Sequence, residues 1–79
     1  MIIRFYAVGR EIANCHEYRA VAVDFQSLRS ELEDRFGKRM GQLFDAASLM
    51  SDGQRVTADS NIQWNDNDVV DLLPPFAGG

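Results

Sequence analysis

Cysteine, histidine and lysine each occur once in this chain of 79 residues, and each scarcity bears on what the chain can do. Cys15 is the single cysteine, so no internal disulfide can support a domain short enough to be marginal. That usage fits a reducing compartment, and a cytoplasmic location is the expectation. His16 is the single histidine. With only Cys15 beside it, the three or four ligands of a soft-metal site cannot be assembled. Adjacent residues also rarely orient as a nucleophile and its base, so both are expected to be ordinary loop residues. Lys38 is the only lysine and is read as a surface charge, not a conjugation site. No apolar run approaches the roughly 20 residues of a membrane span. No basic region followed by an apolar one opens the chain, so neither a signal peptide nor a membrane partner is expected. Basic excess is missing too: net charge is −4 and the arginines are scattered. Such a chain repels nucleic acid and anionic lipid, whereas a basic protein surface would attract it.

What is present reads as one α+β domain. Ile2 to Val8 is rich in β-formers and predicts a strand, with Ile3 and Phe5 inward and Arg4 and Tyr6 outward. Gly9 to Asn14 reads as a loop with a helical turn, and Tyr18 to Val23 as a second strand closing a hairpin. Asp24 is a plausible N-cap. Phe25, Leu28, Leu32 and Phe36 then repeat on one helical stripe, and Gly37 is expected to stop that helix in a left-handed conformation. Met40, Leu43 and Phe44 are expected to pack as a short helical turn. Ala46 to Met50 reads as a strand, Ser51-Asp52-Gly53-Gln54 as a turn and Arg55 to Thr57 as the returning strand. Asn65 to Asp68 is turn-rich. Asn65 to Asp71 lacks the central glycine and final glutamate of a calcium loop. Val69 to Leu73 is the last strand, ended by Pro74-Pro75. One main helix against a mixed sheet of about five strands is compatible with a β-grasp fold.

The chain finishes Leu72-Leu73-Pro74-Pro75-Phe76-Ala77-Gly78-Gly79. Two closing glycines alone would carry little, occurring by chance in about 0.5% of chains. The two prolines at fixed offsets make the pattern specific. They bias the exit from the sheet toward an extended path, and glycine at the end lets the backbone enter a narrow cleft. From Leu73 to Gly79 the chain reaches roughly 20 Å at full extension.

On these residues the chain resembles the MoaD/ThiS group of ubiquitin-like sulfur carriers, most closely the small subunit of molybdopterin synthase. Arg4-Phe5-Tyr6-Ala7 with Arg10-Glu11 resembles the opening strand and its Arg-Glu pair. Asn67-Asp68-Val69-Val70 resembles the acidic turn before the last strand, and Leu73 to Gly79 the Pro-Pro-x-x-Gly-Gly ending. Ser51-Asp52-Gly53-Gln54 stands where relatives often have Asn-Gly, and Asn67 where glycine is more usual.

The resemblance implies that an E1-like enzyme adenylates the Gly79 carboxylate with ATP. A persulfide-type donor then converts it to a thiocarboxylate, whose sulfur goes to the pterin precursor of the molybdenum cofactor in a large catalytic subunit. The family implies a heterotetramer of two small and two large subunits. On this reading the chain is not an enzyme alone. It binds no cofactor or metal itself; ATP is used by the activating partner. Pro74, Pro75, Phe76, Ala77, Gly78 and Gly79 form the inserted tail. Side-chain parity puts Val69, Asp71 and Leu73 on the outer face and Val70 and Leu72 toward the helix. Tyr6, Leu73 and Phe76 would then make an apolar docking patch at the tail's exit. Arg10-Glu11 is open between a partner contact and a bland surface pair. A carrier for another pathway (thiamine, cysteine or a siderophore-like product), a ubiquitin-like modifier joined to protein lysines, and a binding module that never becomes covalent are the alternatives.

Overall fold

A computed structural model describes residues 1–75. The expectations on Phe76, Ala77, Gly78 and Gly79 therefore lie outside the described residues. The elements run β1 (Ile2–Phe5), α1 (Val8–Ala13), β2 (Glu17–Arg19), α2 (Phe25–Phe36), α3 (Lys38–Ala46), β3 (Ser48–Ser51), β4 (Gln54–Val56), a 3₁₀ turn (Ala58–Ser60) and β5 (Val69–Leu73).

The five strands form one sheet in the order β2-β1-β5-β3-β4. The central pair, β1 and β5, is parallel, with Ile2 opposite Val69 and Phe5 opposite Leu72. The other three pairings are antiparallel. Parallel neighbours need a crossover, and here nearly the whole chain supplies it. This is the α+β, β-grasp-like topology that the element order predicted. Alternation explains the burial: Ile3, Phe5, Val70 and Leu72 are buried against the helices, while Arg4 is exposed and Asp71 half-buried on the outer face.

Helix α2 follows its stripe. The Asp24 carboxylate accepts the Ser27 backbone N–H at 2.9 Å, and the Ser27 hydroxyl accepts the Asp24 N–H at 3.3 Å, a reciprocal capping box. Leu28 and Leu32 are fully buried. Phe36 meets Phe5 edge-on, ring centroids 5.5 Å apart, and Phe25 meets Phe44 at 5.1 Å. Gly37 ends the helix with φ 99° and ψ 178°. Its φ is positive as expected, but its ψ is extended, not left-handed helical. It serves as C-cap of α2 and N-cap of α3, so the chain turns on one residue that only glycine fits readily.

Four expectations need correction. The first strand stops at Phe5, not Val8, because α1 begins at Val8. The helical turn expected within the loop at Gly9 to Asn14 is the six-residue helix Val8–Ala13 and takes up most of that segment. The second strand covers only Glu17–Arg19; the Glu31 side chain takes the N–H groups of Val21 and Ala22 that a neighbouring strand would need. The short turn at Met40 is a nine-residue helix. In addition, β3 starts at Ser48 and β4 runs Gln54–Val56, each within two residues of the predicted bounds. Asp52 (φ 56°) and Gly53 (φ 78°) make the tight turn between them.

Candidate functional site

Strand β5 carries the chain to Pro74-Pro75, and its parallel neighbour β1 ends at the same end of the sheet. Tyr6 follows β1 directly, so it lies beside the root of the tail. Tyr6, Ala7, Leu73, Pro74 and Pro75 line an apolar surface hollow of about 280 Å³. Of the three patch residues expected from parity, Tyr6 and Leu73 are thus brought together; Phe76 lies beyond the described residues. Leu73 and Tyr6 are half-buried and Pro75 is exposed, so the hollow faces outward.

Polar contacts hold Tyr6 in place. Its hydroxyl donates to Asp71 Oδ1 at 2.9 Å, and Arg4 Nε donates to the same oxygen at 3.1 Å. One carboxylate oxygen on β5 therefore ties down two side chains of the β1 segment. The Asp71 hydrogen bond, with some desolvation, pushes the Tyr6 phenol above its ordinary pKa. Because Arg4 is largely exposed, its ion pair with Asp71 contributes at most about 1 kcal/mol. Its effect is on orientation: the Tyr6 ring is fixed at the hollow's rim. The sequence held the signal, since Arg4, Tyr6 and Asp71 share an outer-face parity. Only the β1–β5 register brings them within bonding distance.

Ala7 was not foreseen as special. It adopts φ 51°, ψ −123°, a region used by glycine at the first central position of mirror-image turns. The Gly9 N–H donates to the Tyr6 carbonyl at 3.0 Å and the Arg10 N–H to the Ala7 carbonyl at 3.0 Å, so the chain passes from strand to helix in a single tight turn. Gly9 is buried there, with Leu43, Leu72 and Phe5 close around its α-carbon. The strained residue lines the same hollow as Leu73 and the prolines.

Other sequence candidates stay apart from this site. Cys15 is a free, half-buried thiol and His16 is exposed. Among the described residues no group of three or more His, Cys, Asp or Glu could hold a metal ion. The Asp68 carboxylate accepts the Asn65 N–H at 2.8 Å, which accounts for the turn-rich segment as a self-bonded turn. Among the described residues Arg10 and Glu11 form no ion pair with each other. No described helix is long and apolar enough to cross a membrane. Neither a protein-family model nor a curated protein matches the chain. Fold and site together give an α+β chain of β-grasp-like topology with an apolar hollow where β5 runs out.

Proposed function

We propose that this chain is a sulfur carrier whose working atom is the Gly79 carboxylate. The observation that carries this reading is the Leu73-Pro74-Pro75-Phe76-Ala77-Gly78-Gly79 run continuing from the last strand of a β-grasp sheet. The resemblance to molybdopterin synthase small subunits supplies the pathway.

A carboxylate is a poor electrophile. An E1-like partner activates it by forming an acyl-adenylate from ATP with loss of pyrophosphate. The terminal sulfur of a persulfide then attacks the acyl carbon and AMP leaves. A thiol reduces the remaining S–S bond, giving the thiocarboxylate. That sulfur is a strong nucleophile at neutral pH, as thiolates are, and is passed to the pterin precursor in a large catalytic subunit. This chain supplies the reactive atom and the docking surface. The hollow at Tyr6, Leu73 and Pro74 supports the second role, since an apolar patch at the tail's root is where a partner receiving the tail would make contact.

The test is intact mass after co-expression with the cognate activating enzyme and a sulfur source. A gain equal to one sulfur replacing one oxygen, localised to Gly79, is expected. No gain, with the activating enzyme proven on another carrier, would sink the reading. Mass-shifted conjugates to protein lysines would instead favour a ubiquitin-like modifier.

A further inference from the structure

A second apolar hollow, about 660 Å³, lies away from Pro74-Pro75. It lies between the segment after β2 and helix α2, with Tyr18, Val21 and Val23 on one side and Ser27, Glu31 and Asp34 on the other. Val21 is 86% exposed and Val23 49%, the exposed large hydrophobic side chains among the described residues. We propose that this groove docks a short extended segment of a partner protein, with aliphatic residues at alternate positions and a lysine or arginine at one end.

Four observations support the choice. First, the exposed segment is held, not loose. Glu31 Oε1 accepts the Ala22 N–H at 2.8 Å and the Val21 N–H at 3.1 Å, and Glu31 Oε2 accepts the Tyr18 hydroxyl at 2.7 Å. A surface fixed in advance loses less entropy on binding. Second, the backbone there is incompletely used. Val23 C=O accepts from Trp64 N–H at 2.7 Å. The Val23 N–H and the carbonyls of Val21 and Ala22, however, have no protein hydrogen-bond partner among the described residues. An extended peptide satisfies such groups while its alternate side chains fill the apolar floor.

Third, the groove's size suits a short segment better than a folded domain face. Eight residues line the groove, against roughly 20 to 30 a side in a stable pairing of folded domains. Fourth, charge sets the ends of the segment. Asp34 has no ion-pair partner among the described residues. The nearby Arg35 guanidinium sits over the Phe36 ring, 5.7 Å from its centroid. Arg35 lines the groove too, so its helix wall carries Glu31 and Asp34 against one arginine, two negative charges to one positive, and favours a cation on the Asp34 side.

The groove is also remote from the tail. β2 runs antiparallel to β1, with Ile2 opposite Arg19, so Val21 emerges at the end of the sheet opposite Leu73. Six strand positions separate their levels, roughly 20 Å at about 3.3 Å each. Docking here is independent of sulfur transfer and stands if that reading fails.

The experiment selects a display library of random linear dodecapeptides on the full chain, then titrates one synthesised selected peptide into labelled protein by NMR. A consensus of alternating aliphatic residues with a flanking Lys or Arg is expected, with amide shifts at Tyr18 to Val23 and Ser27 to Arg35. The double variant Val21→Ser, Val23→Ser should weaken binding at least about tenfold. Asp34→Lys should weaken it several-fold. Circular dichroism should show both variants folded, since all three side chains are exposed. Absence of a consensus, shifts centred on Tyr6 and Leu73, or affinity unmoved by both variants would overturn the proposal. So would a concentration-dependent dimer that Val21→Ser abolishes, because a second copy would then own the groove.

Discussion

At Ala7 the backbone holds a side chain where glycine is at home, a strain on the order of 1–3 kcal/mol. Ala7→Gly removes the clash and returns part of the gain as unfolded-chain entropy. A net stabilisation of about 1 kcal/mol is expected, read as a raised urea midpoint with unchanged slope. Trp64 carries a different local penalty: its indole nitrogen is buried with no hydrogen-bond partner among the described residues. An orphaned donor costs about 1–3 kcal/mol. Trp64→Phe removes the orphan along with some buried ring area, so the two effects oppose. The expected net change is under about 1.5 kcal/mol, whereas Trp64→Ala should cost about 3–5 kcal/mol. Thermal melts of the pair distinguish packing from polarity at this site. Tyr6 and Tyr18 each donate to a carboxylate, Asp71 and Glu31, and those hydrogen bonds push both phenols above the ordinary value of 10. The folded state therefore holds protons that the unfolded chain has released. This contribution is full below pH 10 and is lost as pH rises through the folded values. Ultraviolet titration should show both tyrosines ionising later than free tyrosine, and Tyr6→Phe with Tyr18→Phe should flatten the alkaline loss of stability.

Among the elements, α2 has the most support around it. Its box at Asp24 and Ser27 satisfies backbone groups at the first turn, and Asp24→Ala should cost about 1 kcal/mol. Arg29 clips α2 to α3 through both Asp45 oxygens, at 2.6 and 2.8 Å. Hydrogen bonds from Ser27 hold the Asp24 carboxyl below its ordinary 3.8, and the Arg29 guanidinium does the same for Asp45. Folded pKa values that are depressed give stability that is present above pH 3.8 and lost as pH falls through the folded values. Acid unfolding curves of Asp24→Asn and Asp45→Asn should be shallower than wild type over that window. These elements also show what a sequence can and cannot reveal. The stripe Phe25, Leu28, Leu32, Phe36 was legible because its period is local and complete. α1 was not, since its buried face is Gly9 and Ala13, small residues that hydropathy does not flag. α3 was read short because Gly37 and Gly41 interrupt its pattern. At Gly41 an added Cβ would meet only the end of the Glu33 side chain, which can swing aside. The strand at Tyr18 to Val23 was read long because Ala20 to Val23 alternates correctly. The fold turns the alanines inward, leaves the valines outside, and lets Glu31 stand in for a neighbouring strand. Of the candidate site, Tyr6 and Leu73 were legible from parity together with the β-grasp order that makes the first and last strands neighbours; the strain at Ala7 and the Asp71 bridge depend on a register no local pattern carries.

For the molecule as a whole, the sheet's middle is made by its first and last strands. Leu32→Ala, at the helix face over that middle, is expected to cost about 2–5 kcal/mol, a large share of the roughly 5–15 kcal/mol typical of a domain, and so to lower the urea midpoint. Far-ultraviolet dichroism at 25 °C would record it. The β1–β5 pairing has a consequence for synthesis. Until residues 69 to 73 are made, β1 lacks its central neighbour and β3 its only link to the rest of the sheet. A nascent chain halted short of them has two disconnected hairpins and an uncovered helix stripe, and is exposed to proteolysis. Because β5 leads straight into Pro74, folding is licensed only once translation has reached the threshold of the tail.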